Sequence, residues 1–156
     1  MATTPDQHKA DAPDSVRCAV LTLSDTRTVE TDTGGQTVVD RLSAAGHEVV
    51  YRNIIPDEPE QLRCLLEQFR DQPDIDCVLL TGGTGISARD QTFETVSELL
   101  TRSLPGYGEL FRMLSYQEIG PAAMLSRATG GLMKNTLLLT MPGSRAAYSA
   151  SSAPPS

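Results

Sequence analysis

Long apolar runs and cysteines are both scarce in this sequence. No stretch approaches the roughly 18 apolar residues that a membrane-spanning helix needs, and residues 1–15 are polar, unlike a secretory signal peptide. We therefore expect a cytoplasmic protein. The cysteines, Cys18, Cys64 and Cys77, are odd in number and lack a C-x-x-C spacing. This pattern argues against a disulfide framework or a zinc site and predicts three small buried side chains.

Basic residues are also few and form no cluster. The chain has 13 basic and 20 acidic residues, a formal net charge of -7 and a pI of about 4.7. This balance disfavours a nucleic acid partner, which requires a basic patch. Lys9 and Lys134 are the only lysines. Bidentate contacts to a phosphate or carboxylate ligand would therefore come from arginine. We expect no catalytic role for His8 or for His47, which should face solvent.

A glycine-rich turn is the most informative feature that is present. Residues 81–90, with the sequence TGGTGISARD, join the apolar run at 77–80 to a helical pattern at residues 92–100. Glycine adopts positive φ and lets a ligand approach the main chain closely. Such a turn can direct its N–H groups, together with the positive end of the next helix, towards an anion. The turn therefore predicts phosphate binding.

Strand and helix patterns alternate along most of the chain. We predict a three-layer α/β fold, with an open, mostly parallel sheet, helices on both faces and one antiparallel edge element. The expected strands are residues 16–23, 47–55 and 77–81, followed by a hairpin at 132–141. The expected helices cover residues around 38–45, 60–69, 92–101, 107–118 and 122–127. The predicted apolar stripe of the second helix is Leu62, Leu65, Leu66 and Phe69, and the predicted inner face of the fourth is Leu110, Phe111 and Leu114.

The chain composition predicts one domain with polar ends. Residues 1–14 lack periodic apolar residues and are expected to form a disordered leader. Residues 15–148 form the predicted domain, and residues 149–156, rich in Ser, Ala and Pro, form a predicted disordered tail. In parallel sheets the ligand lies at the carboxyl ends of the strands. Four polar or glycine-rich segments should meet there: residues 24–27, 56–60, 81–90 and 142–144.

Six motifs, in this order, carry a family resemblance. They are LSDTR at 23–27, IPDE at 55–58, LTGGTG with RDxT at 80–92, PGYGE at 105–109, LSR at 125–127 and MPGS at 141–144. Together they resemble the MoaB/MogA family of molybdenum cofactor biosynthesis proteins, over residues 15–144. The resemblance implies the molybdopterin-binding fold, a cytoplasmic homo-oligomer (trimer or hexamer) and hand-over of the product to a molybdate-inserting protein.

The resemblance also implies a reaction, adenylyl transfer to molybdopterin. The molybdopterin phosphate would attack the α-phosphorus of ATP, with Mg²⁺ present, and give adenylyl-molybdopterin and pyrophosphate. The family's catalytic and metal-binding aspartates match Asp57 and Asp90, and two carboxylates suit Mg²⁺. The implied substrate-binding positions are Ser24, Asp25, Thr81, Gly82, Gly83, Thr84, Gly85, Ser126, Pro142, Gly143 and Ser144.

Four of these residues also have a purely structural interpretation. Asp57 precedes Pro59 and stands three residues before Glu60, so it resembles a helix N-cap. Asp90 could pair with Arg89 or cap the following helix. Ser24 and Asp25 could form only a turn after a strand.

The sequence also bears on other classes of protein. Gly83, Gly85 and Ala88 satisfy the dinucleotide pattern G-x-G-x-x-G/A, but the fingerprint also needs an acidic residue about 20 residues later at a strand end. Residues 103–106 do not resemble a strand. The Walker motif and the G-x-S-x-G motif are both absent from the sequence. The stronger alternative is a non-catalytic family member that binds molybdopterin. In the family a further helix follows the last motif, whereas residues 145–148 precede the polar tail here.

Overall fold

The structure is a computed structural model that describes residues 14–82 and 91–141. Within these ranges the chain forms β1 (Arg17–Leu23), α1 (Thr33–Ala44), β2 (Glu48–Ile55), α2 (Pro59–Arg70), β3 (Cys77–Thr81), α3 (Thr92–Leu99), β4 (Arg102–Ser103), α4 (Pro105–Ile119), a 3₁₀ helix (Gly120–Leu125), β5 (Gly130–Met133) and β6 (Thr136–Met141). Among these residues, no helix is long and apolar enough to cross a membrane.

The strands of the described residues form one sheet in the order β2-β1-β3-β6-β5-β4. The first four strands of this order run parallel to one another. The β5 strand pairs antiparallel with β6 and with β4. The predicted fold class is therefore confirmed, including the hairpin at the antiparallel edge.

Alternation along β1 divides the core into two clusters, one on each face of the sheet. Ala19 and Leu21 pack on the face covered by α2 and α3, with residues such as Leu66 and Val96. Cys18 and Val20 belong to the opposite cluster, which includes Val38 of α1 and Phe111 of α4. Successive side chains of a strand point to opposite faces, so a central strand buried on both sides is mostly apolar. The predicted layering follows from this pattern.

Three predicted details of packing are wrong. Cys64 is exposed rather than buried, because it faces away from the sheet on α2. Leu110 of α4 is also exposed, whereas the adjacent Phe111 is buried. His47 is half-buried, and its Nδ1 accepts a hydrogen bond from the backbone N–H of Val16 at 3.2 Å.

Two predicted elements differ in type. The segment expected to be a helix at 122–127 is a 3₁₀ helix, Gly120–Leu125. The segment at 103–106, which does not resemble a strand, contributes Ser103 to the two-residue β4. Tertiary pairing with β5 creates this strand, and local propensity gives no signal for it. It is antiparallel and holds no acidic residue, so it does not restore the dinucleotide-binding pattern.

The predicted leader falls outside the described residues except for Asp14, and the predicted tail at 149–156 falls entirely outside them. The domain limits at 15 and 148 therefore stay predictions.

Candidate functional site

The carboxyl ends of four parallel strands meet at one edge of the sheet. Leu23 of β1 pairs with Ile55 of β2, and Thr22 pairs with Thr81 of β3, which in turn pairs with Met141 of β6. The loops that leave these strands are neighbours because the strands run in the same direction. We call this end of the sheet the strand-end edge. It holds Ser24, Asp25, Asp57 and Gly82.

The loops after β1 and β2 are joined by hydrogen bonds. The Ser24 backbone N–H donates to the Ile55 carbonyl at 3.0 Å. The Asp57 backbone N–H donates to Oδ1 of Asp25 at 3.2 Å. These contacts bring three of the predicted site positions, Ser24, Asp25 and Asp57, into one small region. Two carboxylate side chains thus belong to adjoining loops.

The capping interpretation of Asp57 is wrong by one residue. The N-cap of α2 is Glu58, and Pro59 occupies the first helical position. Asp57 therefore precedes the cap and is half-buried. Asp57 is therefore not the N-cap residue of α2, and its assignment to the site stays a prediction.

Ser24 does form a turn. Its Oγ accepts hydrogen bonds from the backbone N–H groups of Thr26 at 3.2 Å and Arg27 at 3.0 Å. Hydroxyl side chains commonly order a turn in this way. The hydroxyl is the acceptor in both bonds, so its own proton can be donated to a third partner. The turn interpretation and a binding role for Ser24 are therefore compatible.

Gly82 begins the glycine-rich turn with φ of 82°. A Cβ built at this position would lie 2.5 Å from the Leu23 carbonyl oxygen. Both the positive φ and this close approach of two main chains require glycine. The preceding residue, Thr81, is fully buried, and its Oγ1 donates to Oγ1 of Thr22 at 3.1 Å. A ligand contact by Thr81 would therefore come from its main chain.

Sequence reasoning missed a buried carboxylate beside this edge. Asp32 has only 2% of its surface exposed. Its Oδ2 accepts a hydrogen bond from Oγ1 of Thr22 at 2.7 Å, and its Oδ1 accepts one from the Gly35 N–H at 3.0 Å. Arg52 forms an ion pair with Oδ2 at 3.4 Å. The sequence signal was an aspartate before Thr-Gly-Gly at the start of a helical pattern, which is typical of an N-cap.

Ser126 lies in the loop that precedes β5. Its Oγ accepts a hydrogen bond from the Ala128 N–H at 3.3 Å. The next residue, Arg127, forms an ion pair with Glu94, and its guanidinium lies 4.6 Å from the centre of the Phe93 ring. The hydrogen bond from Arg127 lowers the pKa of Glu94. These contacts fasten the Ser126 loop to the first turn of α3, the helix that follows residues 83–90.

The PGYGE motif has a packing role at the same end of β6. The Tyr107 hydroxyl donates to the Thr140 carbonyl at 2.8 Å. A Cβ at Gly108 would lie 2.7 Å from the Ala128 carbonyl oxygen, so α4 can approach this loop only with glycine there.

Seven predicted site positions lie outside the described residues: Gly83, Thr84, Gly85, Asp90, Pro142, Gly143 and Ser144. Their roles stay predictions. Among the described residues, no group of three or more His, Cys, Asp or Glu side chains could hold a metal ion. The predicted Mg²⁺ ligands are Asp57 and Asp90, and Mg²⁺ commonly uses one or two carboxylates and completes its shell with water and substrate phosphates. This metal site stays a prediction.

The parallel sheet, the glycine turn that begins at Gly82 and the two acidic loops define an α/β domain suited to an anionic ligand. Residues 19–152 match the model of a family described as a probable molybdopterin binding domain. The chain belongs to this family of molybdenum cofactor biosynthesis proteins, which includes MoaB and MogA, as the six motifs indicated.

Individual relatives agree with this assignment. Molybdenum cofactor biosynthesis protein B of Bacillus subtilis (strain 168) is 49% identical over 143 residues, which cover 90% of this chain and 84% of the relative. A crystal structure of a molybdenum cofactor biosynthesis protein B has a TM-score of 0.85 at 47% identity, with 90% of this chain and 88% of that chain covered. The tungsten cofactor synthesizing protein MoaB from Pyrococcus furiosus has a TM-score of 0.77 at 35% identity, with 90% of both chains covered.

Proposed function

We propose that this protein catalyses Mg-ATP-dependent adenylylation of molybdopterin, in the cytoplasm and as a step of molybdenum cofactor biosynthesis. The observation that carries the proposal is the hydrogen bond between Asp25 and the Asp57 main chain, which holds two carboxylates at the strand-end edge. Gly82 opens the glycine turn at the same edge. Family membership supplies the substrate class, because the matching family model describes a molybdopterin binding domain.

The reaction joins two anions, and this determines what the site must supply. An oxygen of the molybdopterin phosphate attacks the α-phosphorus of ATP, the new P–O bond forms, and the bond to the β-phosphate oxygen breaks to release pyrophosphate. Little proton transfer is needed, because the attacking phosphate oxygen is already ionised. The protein must instead bring the two phosphates into line and offset their repulsion.

The predicted site residues offer suitable groups for both tasks. Main-chain N–H groups that follow Gly82 would bind phosphate oxygens, and the Ser24 hydroxyl can donate a further hydrogen bond. Asp57, with Asp90, would hold Mg²⁺. When bound there, the cation would neutralise charge that develops on the phosphate oxygens. The exposed Asp25 would keep the Asp57 loop in position through its bond to the main chain.

The direct test is to mix the purified full chain with molybdopterin, ATP and Mg²⁺ and to measure pyrophosphate. We expect release of one pyrophosphate per adenylyl-molybdopterin formed, and none when either molybdopterin or Mg²⁺ is omitted. Tight molybdopterin binding without pyrophosphate release would overturn the catalytic proposal and favour the non-catalytic binding protein. Pyrophosphate release without molybdopterin would indicate a different acceptor.

We also propose that the protein acts as a homo-oligomer, a trimer or hexamer, that hands its product to a molybdate-inserting protein. The described residues of α4 and the 3₁₀ helix carry a set of exposed large apolar side chains: Leu110, Met113, Tyr116, Ile119, Met124 and Leu125. Contiguous exposed apolar surface is typical of an association surface. A second copy of this chain is its proposed occupant.

A further inference from the structure

A buried hydrogen-bond chain crosses three neighbouring strands close to the strand-end edge. Arg52 of β2 contacts Asp32, Asp32 accepts from Thr22 of β1, and Thr22 accepts from Thr81 of β3. Asp32 also caps α1 through the Gly35 N–H. We call this set the Asp32 network. We propose that Asp32 is a positioning residue, which acts through Thr22 and Thr81 to hold the loops of the proposed adenylylation site in one geometry. The role of Asp32 in the reaction rests on the proposed function, whereas its role in holding the loops does not.

Burying a carboxylate costs free energy, and both side-chain oxygens of Asp32 have specific partners. Removing a charged group from water costs several kcal/mol unless it is paired and hydrogen-bonded. Asp32 offsets that cost with Thr22, Gly35 and Arg52. The surrounding chain is fitted to the carboxylate, since a Cβ at Gly35 would lie 2.1 Å from Oδ2 of Asp32.

Helix capping alone does not explain this arrangement. An N-cap needs one oxygen to accept a bond from the first turn, and Oδ1 of Asp32 already does so with Gly35. The second oxygen, Oδ2, accepts from Thr22, which belongs to a strand and not to the helix. An exposed serine or asparagine would cap α1 equally well. The bond to Thr22 therefore has a purpose beyond the helix.

The far end of the network reaches residues already assigned to the site. Thr81 is followed directly by Gly82, where an added Cβ would lie 2.5 Å from the Leu23 carbonyl oxygen. Leu23 precedes Ser24 and Asp25, and Asp25 is bonded to the Asp57 main chain. A shift of β1 against β3 at Thr22 would move both the turn at Gly82 and the two acidic loops. The network is thus placed to fix their separation.

The test replaces Thr22 rather than a site residue. Thr22→Val keeps the branched shape and removes the hydroxyl, whereas Thr22→Ser keeps the hydroxyl. Thr136→Val is the matched control. Thr136 is also buried in the sheet, but it begins β6 and so lies at the end of the sheet opposite the strand-end edge. Asp32→Asn is the second variant, because asparagine still caps α1 but presents an amide group where Oδ2 accepts.

The first readout is amide hydrogen exchange of the unliganded protein, corrected for the global stability of each variant. We expect the Asp57 N–H to exchange about tenfold faster in Thr22→Val and in Asp32→Asn, the factor expected when one hydrogen bond of ordinary strength is lost. Thr22→Ser and Thr136→Val should match the wild type. Exchange that is equal in Thr22→Val and Thr136→Val would overturn the inference.

The second readout is pyrophosphate release by the same variants. We expect Thr22→Val to raise the KM for Mg-ATP about tenfold, because the loops of this variant would have to become ordered before they bind phosphate. Thr22→Ser should have the KM of the wild type. An unchanged KM with faster exchange would overturn the link between the network and the reaction. A wild type that exchanges as expected but releases no pyrophosphate would overturn the proposed function, while the exchange result still decides whether Asp32 positions the loops.

Discussion

Oδ1 of Asp25 lies 3.2 Å from the backbone nitrogen of Asp57. The bond ties the loop after β1 to the loop after β2, although 32 residues separate the two aspartates along the chain. It uses the main chain of Asp57 and the side chain of Asp25. We therefore predict separable tasks for the two residues, positioning for Asp25 and metal binding for Asp57.

This division predicts the effect of neutralising the proposed metal ligands. Asp57→Asn keeps the backbone N–H and hence its hydrogen bond to Asp25, but it removes the charge that would attract Mg²⁺. We expect pyrophosphate release to fall roughly 100-fold or more, with little change in melting temperature. Asp90→Asn should have a similar effect. Asp40→Asn, which neutralises an exposed aspartate on α1, is the control and should keep full activity. Turnover that survives both site substitutions would contradict the metal role.

Substitution of Gly82 should lower stability for two reasons, the positive φ and the close approach to Leu23, and these can be measured separately. Gly82→Ala would place a Cβ at positive φ and against the Leu23 carbonyl. Gly46 also has positive φ, 89°, but a Cβ there would meet nothing within 4 Å. We expect Gly46→Ala to lower the free energy of unfolding by about 1–2 kcal/mol, the cost of left-handed backbone for an L-residue. Gly82→Ala should cost more, as measured by denaturant unfolding. Equal losses would mean that the main chain at Gly82 can move away from Leu23.

The architecture was predictable because its signals are local and periodic. Residues 77–80 are all apolar, which is typical of a strand buried on both faces, and the structure gives the predicted strand bounds, Cys77–Thr81. The apolar stripe of α2 was equally clear, with Leu62, Leu66 and Phe69 all buried. Leu110 was misassigned because helical periodicity identifies an apolar face but does not say whether this protein or a partner covers it.

The sequence predicted the candidate binding residues of the site but not the residues that hold them in place. Ser24, Asp25 and Asp57 follow strands in the sequence, and parallel strands place such residues at one edge. Asp32 gave no comparable signal, because an aspartate before a helix is ordinary as a cap. Its second bond depends on Thr22, ten positions away, and on the strand pairing that places Thr22 beside Thr81. Such a network becomes visible only when the fold is known.

An ion pair at the opposite end of the sheet, where β1 and β3 begin, predicts a pH dependence of stability. Asp76 accepts hydrogen bonds from the Arg17 side chain and, at 2.8 Å, from the Arg17 backbone N–H. These bonds lower the pKa of Asp76 below its ordinary value. A carboxylate with a lowered folded-state pKa contributes stability that is present above the pKa of the unfolded chain, about 3.9, and is lost as the pH falls through the folded-state value.

We therefore expect Asp76→Asn to be less stable than the wild type at pH 7, and the difference to shrink below about pH 4. Both partners are partly exposed, so the difference should be small and should fall in high salt. Arg17→Met, which keeps the backbone bond but removes the guanidinium, should reproduce part of the effect. Urea unfolding measured from pH 7 to pH 3 tests this. A stability difference that stays constant over that range would contradict the assignment.

The exposed apolar side chains of α4 predict the outcome of a charge substitution. Leu110 is 59% exposed and lies on the surface proposed to bind further copies of the chain. Leu110→Glu would bury a carboxylate in that interface, so we expect the native mass to fall from that of a trimer or hexamer towards the 16.8 kDa monomer. Val29, with 58% exposure in the loop between β1 and α1, is the matched control, and Val29→Glu should leave the assembly intact. Light scattering with size-exclusion chromatography measures both variants, and a wild type that is itself monomeric would refute the proposed assembly, because the apolar surface of α4 would then be stable in water without a second copy.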